Sequence, residues 1–122
     1  TGFGLGGHAL EMALASNVTV VLQAEALPLM PHALEYARDG LIPAGSHLNK
    51  KYWACSTRVE DSVDEALTSL AFDAQTSGGL LLAVPPEQVA EACAMLLAGG
   101  DMACEVGEVI EAEADGTALV LR

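Results

Sequence analysis

Apolar side chains at Phe3, Leu5, Ala9, Leu10, Met12, Ala13 and Leu14 recur at helical spacing and predict a helix over residues 3–15. Gly2, Gly4, Gly6 and Gly7 fray its start, and Asn17 ends it. Val18-Thr19-Val20-Val21-Leu22 is short and β-branched, the composition of a buried strand. Pro28 and Pro31 mark a turn, with Pro31 opening a helix through Arg38 and Asp39-Gly40 closing it. Residues 41–60 hold no clear period and read as a long loop with a short helical turn near Lys50–Trp53, and a loop of that length is often functional.

Ser62 and Glu65 stand at capping-box spacing, ahead of Val63, Ala66, Leu67 and Leu70 at helical intervals. The polar run Asp73–Gly79 leads into Leu80–Val84, whose unbroken apolar character predicts a strand buried on both faces. Pro85-Pro86 starts another helix, with Val89, Ala92, Cys93, Leu96 and Leu97 inward and Gly99-Gly100 as its stop. Residues 102–121 read as two strands joined by Asp115-Gly116, a hairpin, with Gly107 marking a bulge in the first. The whole predicts a single α+β domain over residues 1–122. It is a mixed sheet of about four strands with helices packed on it and a C-terminal β-hairpin.

Composition sharpens this picture. Hydrophobic residues make up 52% of the 122, which excludes disorder, and two Phe, two Tyr and one Trp leave the core mostly aliphatic. The formal charge of −12 opposes nucleic acid and anionic membrane surfaces. A phosphate bound by such a chain needs backbone N–H groups or a bridging cation. Cys55, Cys93 and Cys104 lack CxxC spacing and read as buried, reduced thiols of a cytoplasmic protein. No apolar run approaches the roughly 20 residues of a membrane helix. The opening at Thr1, without Met and directly in a glycine-rich motif, reads as a boundary inside a longer protein.

Two stretches place glycines where a core element has no use for them. Thr1-Gly2-Phe3-Gly4-Leu5-Gly6-Gly7-His8 opens a helix, whose first turn presents free N–H groups and partial positive charge to a phosphate. The same glycines also permit plain close packing. Gln75-Thr76-Ser77-Gly78-Gly79 joins hydroxyls and an amide to a glycine pair, the makings either of an oxyanion nest or of a simple turn. His8 is one helical turn from the first stretch, whereas His32 and His47 are scattered. Asp61, Asp64 and Glu65 read as a solvated helix start, and Glu105, Glu108, Glu111, Glu113 and Asp115 as the wet side of the hairpin. Lys50-Lys51-Tyr52-Trp53 covers a core edge or meets a partner domain. There is no Ser-His-Asp order, no HExxH and no thiol beside an activating group, so no catalytic residue and no metal ligand is assigned.

The first stretch resembles the Thr-Gly-Phe-Gly-Leu-Leu-Gly-His motif of selenophosphate synthetases (selenide, water dikinases). Asp73-Ala74-Gln75-Thr76-Ser77-Gly78-Gly79-Leu80-Leu81 resembles their Asp-Pro-Gln-Thr-Ser-Gly-Gly-Leu-Leu. Gly40-Leu41-Ile42-Pro43-Ala44-Gly45 with Asn49 is similar to the family's middle loop. Gly6 stands where the family has Leu, loosening the helix start, and Ala74 where it has Pro, removing a rigid turn element. The resemblance implies the C-terminal half of a larger, two-domain member of the aminoimidazole ribonucleotide synthetase superfamily, inactive alone. The whole enzyme turns ATP, selenide and water into selenophosphate, AMP and phosphate. Its reactive Cys or selenocysteine, its Lys and most Mg²⁺-binding aspartates lie in the preceding half, through which it dimerises. ATP and Mg²⁺ belong to that whole enzyme, with no cofactor expected for this chain alone. Thr1, Gly2, Gly4, His8, Gln75, Thr76, Ser77 and Gly78 are the expected ATP-facing residues. Other members of the superfamily, thiamine-monophosphate kinases and hydrogenase maturation factors, share the fold, and a non-catalytic interaction domain is a third reading.

Overall fold

The computed structural model describes residues 1–122. Helix α1 (Gly4–Ser16) ends at Asn17, which takes a left-handed φ of 52° while its N–H turns back to the last carbonyls of the helix. That one residue redirects the chain into strand β1 (Val18–Leu22). Then follow α2 (Ala33–Arg38), α3 (Ala44–Trp53), β2 (Thr57–Val59), α4 (Glu65–Ala71), α5 (Val89–Ala98), β3 (Gly107–Glu111) and β4 (Leu119–Leu121). The four strands form one mixed sheet in the order β2-β4-β1-β3, as the α+β reading requires.

Register explains the core. Val20 and Leu22 of β1 stand beside Leu119 and Leu121 of β4 on one face. That face receives Ala9, Leu10 and Ala13 of α1 and Ala71-Phe72 at the end of α4. Phe72 is the one aromatic side chain fully buried there. On the opposite face Arg58, Val120, Val21 and Glu108 form a row across the four strands. Arg58 pairs with Glu113, and Arg122 with Glu108, so long charged side chains border the buried Val21–Val120 pair.

The terminal strands are not a hairpin. Glu113–Gly116 does reverse the chain, with Gly116 at φ 84°. Yet β1 lies between the two strands, antiparallel to β3 and parallel to β4. The Thr19 hydroxyl of β1 holds both sides of the turn: it donates to the Thr117 carbonyl at 2.7 Å and accepts from the Glu113 N–H at 3.1 Å. Gly107 is not a bulge either. It pairs in register with Leu22, and a Cβ there would sit 1.9 Å from the Val21 carbonyl oxygen.

Three further expectations give way. The unpatterned loop contains α3 and the edge strand β2; the inner side of α3 carries polar Ser46, 1% exposed, which erased the apolar period. Helix α4 is capped by Asp64 rather than by Ser62, its Oδ1 accepting from the Ala66 N–H at 2.8 Å. Glu65 pairs with Lys50 instead of closing a capping box. Leu80–Val84 stays outside the sheet, whose edges are β2 and β3. Leu80 is 90% exposed and only Leu81 of this run packs on the core.

Helix α5 forms where its period places it, but buries none of its residues, and Leu97 is 58% exposed. The accessible surface of 7792 Å² exceeds the about 6,200 Å² expected of a compact 12.6 kDa chain, and this segment accounts for the direction of the excess. The thiols follow suit: Cys55 and Cys104 are exposed and Cys93 half-buried, all free, so the expectation of buried cysteines fails with the packing of α5.

Candidate functional site

The start of α1 is built for close approach. Gly2 and Gly4 take φ values of 80° and 73°, which a side chain resists. A Cβ on Gly4 would meet the Phe72 carbonyl carbon at 2.7 Å and the Asp73 oxygen at 2.8 Å. Gly4 therefore lets the backbone of the first motif lie directly on the start of the second. Gly6 is filled rather than loose: the edge of the Phe72 ring stands 2.8 Å from where its Cβ would be. No side chain caps α1, and its first turn holds no acidic residue. Its leading N–H groups therefore have no side-chain partner, although Gly4, Gly6 and Gly7 are themselves buried.

Asn49 of α3 ties the two motifs together. Its Nδ2 donates to the Gly2 carbonyl at 2.7 Å and to the Phe72 carbonyl at 3.1 Å. One turn earlier, Ser46 Oγ donates to Asp73 Oδ1 at 2.7 Å and accepts from the Ala74 N–H at 3.2 Å. Proline at position 74 lacks that N–H, so the alanine found here gains a hydrogen bond as it loses a rigid ring. Trp53 closes the same junction, its Nε1 standing 3.3 Å from the position a Gly7 Cβ would take. The Tyr52 ring meets it edge-on at 4.9 Å, so this aromatic pair covers the core edge.

The eight expected site residues divide into two groups. Thr1, Gly2, Gly4 and His8 gather at the head of α1, with Thr1 Oγ1 2.6 Å from His8 Nε2. Gln75 folds back so that its amide donates to the Asp73 carboxylate, which Ser46 holds from the other side. Thr76, Ser77 and Gly78 continue as an exposed turn, with Ser77 in a left-handed conformation at φ 54°. Asn49 and Ser46 carry the junction and were not among the eight. Asn49 was visible only as part of a motif, and Ser46 had no signal beyond its place in the same segment.

Three carboxylates away from the junction are held by specific partners. Asp64 is held below the usual carboxylate range first by the Ala66 N–H and then by Arg38. Glu113 is lowered by its hydrogen bonds from Arg58, and Asp115 by the Thr117 N–H. No group of three or more His, Cys, Asp or Glu side chains is arranged to hold a metal ion. Two polar clefts of about 380 and 210 Å³ lie around Gln23 and Arg122 and share no residue with the glycine junction. The ion pair of Arg122 with Glu108 borders the larger one, which offers an anion nothing in excess of its own acids. No helix is long and apolar enough to cross a membrane.

The fold is thus a mixed sheet with helices packed on it, whose glycine-headed helix α1 is pinned to Phe72 and Asp73, where the second motif begins. Residues 1–119 match the model of the family described as AIR synthase related protein, C-terminal domain, and the chain belongs to that family. It is 51% identical over all 122 residues to a selenide, water dikinase of Nitratidesulfovibrio vulgaris, covering 35% of that protein. It is 40% identical over 114 residues to selenide, water dikinase 2 of Peptoclostridium acidaminophilum, 93% of this chain and 33% of the relative. A selenide, water dikinase of Caldanaerobacter subterraneus is 47% identical over 91 residues, 75% of this chain and 26% of that protein. The chain thus spans about a third of the length of these relatives.

Proposed function

We propose that this chain is the C-terminal domain of a selenide, water dikinase and supplies one wall of the cleft that holds the ATP phosphates. The single observation that carries this reading is the Asn49 clamp, which with Gly4 joins the two family motifs into one surface beside the uncapped N–H groups of α1. In a chain of charge −12, phosphate is held by backbone amides or through a bridging cation rather than by basic side chains. Thr1, Gly2, Gly4, His8, Thr76, Ser77 and Gly78 face the nucleotide, while Gln75 acts one step back by fixing Asp73. The reactive thiol or selenol and the Lys belong to the region that precedes this one, as does the homodimer contact, and selenide and water are substrates of the whole protein. The acidic side chains here do not by themselves make a Mg²⁺ site, because no three of them converge.

A chimera tests the reading: the matching C-terminal region of the Nitratidesulfovibrio vulgaris relative is replaced by this chain. Selenide-dependent conversion of ATP to AMP is the expected result, with none from either piece alone. A chimera that is folded by circular dichroism and yet forms no AMP in the presence of selenide contradicts it.

A further inference from the structure

Two rows of backbone groups in this fold lack a partner. The first is the outer edge of β3. The Gln23 N–H donates to the Val106 carbonyl, and the same register sets Val21 opposite Glu108 and Thr19 opposite Ile110. The N–H and C=O groups of Gly107, Val109 and Glu111 therefore point away from β1, on the side where the sheet ends. The second row is Leu80–Val84. None of its residues makes a backbone hydrogen bond, and Leu80 and Leu82 are 90% and 55% exposed.

We propose that Leu80–Val84 is a strap that closes on β3, adding to its outer edge as a fifth, parallel strand with α5 in the crossover between them. Direction and reach both fit. Asn17 turns α1 straight back into β1, so the head of α1 lies toward the Leu22 end of β1, which stands opposite Gly107. Asp73 is fixed at that head by Gly4. The strap thus begins at the end of the sheet where β3 begins, and Leu81 packs on the core cluster, as does Val106 just ahead of β3. From Asp73 to Leu80 the chain can span roughly 20 Å. The edge position lies two strand spacings from β1, about 10 Å. Residues 85–106, with α5 in their middle, supply the long connection that parallel neighbours need. Gly78-Gly79 before the strap and Gly99-Gly100 after α5 give the segment its turning points, Gly100 at φ 89°.

The side chains left uncovered match as well. Val89, Ala92, Cys93 and Leu96 form a stripe on α5 that is only half-buried and outside the core cluster, while Val109 and Ile110 of β3 are exposed on opposite faces. Closing sets that stripe over one face of β3. A second copy suits the same edge poorly. Two β3 edges paired together gather Glu108 and Glu111 of both chains at one joint, in a chain of charge −12, whereas Leu80–Val84 carries no charge. Closing also holds the Gln75–Gly79 turn from its far end, Ser46 and Asn49 having fixed its near end through Asp73 and Phe72. The strap is a property of this chain and does not rest on the function proposed above.

Amide hydrogen exchange of the full 122 residues, followed by NMR, tests it. Closing is expected to slow exchange at Val109, at Glu111 and at alternate residues of Leu80–Val84 by at least about tenfold relative to unpaired amides. Leu82→Pro should return Val109 and Glu111 to the unpaired rate while the amides of β1 stay protected, which reports that the variant is folded. Unprotected exchange at both rows in the wild type overturns the strap, whether or not the variant folds. So does protection of Val109 and Glu111 that survives Leu82→Pro. Protection that rises with protein concentration, together with a dimer mass by light scattering, puts a second copy on the edge and overturns it too.

Discussion

Replacing Gly4 by alanine puts the contact between the two motifs to a quantitative test. The added Cβ falls 2.7 Å from the Phe72 carbonyl carbon and 2.8 Å from the Asp73 oxygen, both backbone atoms that no rotamer change moves away. Two penalties combine. A side chain in a left-handed backbone costs about 1–2 kcal/mol, and overpacking against fixed atoms about 1–3 kcal/mol more. Gly2→Ala serves as the control. Gly2 has nearly the same φ, 80° against 73°, but nothing stands within 4 Å of its missing Cβ. It incurs the first penalty and not the second. Urea unfolding of the two variants should therefore differ by about 1–3 kcal/mol, with Gly4→Ala the weaker by roughly 1 M in midpoint. Equal midpoints would mean that Gly4 does not lie against Phe72 and Asp73, and that the two motifs are not joined as described.

Asn49→Leu removes both bonds of the clamp and leaves the buried Phe72 carbonyl unpaired, a loss of about 1–3 kcal/mol. Thermal unfolding measures it, and a variant as stable as the wild type denies the clamp. A second expectation concerns acid. The Glu113 carboxyl is lowered by Arg58, so this pair stabilises the fold above the unfolded carboxylate range of about 4 and ceases to as pH falls through the lower, folded value. The gap in Tm between wild type and Arg58→Met should be constant from pH 7 to about 5 and close below about 4. A gap that closes near neutrality refutes the pairing.

Much of the fold was legible because local signals and tertiary structure agree there. The helix ended by Asn17 and the β-branched strand after it both carry their reason in adjacent residues. What failed has a common cause: the pattern reports whether a segment is apolar, not which neighbour it meets. Leu80–Val84 is as apolar as β1, yet it lies outside the sheet, whose edges are β2 and β3. Asp115-Gly116 does make a turn, but Thr19 stands between the strands it was expected to join. Helix α3 stayed hidden for the opposite reason, since its inward side chains are Ser46 and Asn49. Those same polar groups hold the candidate site together. The glycines of the first motif were readable as a platform, whereas the partners of Asp73 and His8 emerge only when the chain is folded.

On the function proposed above, the turn after Asp73 and the head of α1 together hold nucleotide phosphates. Thr76→Ala and Ser77→Ala, made together in the active chimera, put this to the test. Hydroxyls bonded to a charged phosphate are worth about 1.5–3 kcal/mol each, so KM for ATP should rise at least tenfold while Tm stays within about 2 °C. Unaltered KM and kcat in the double variant would contradict the claim.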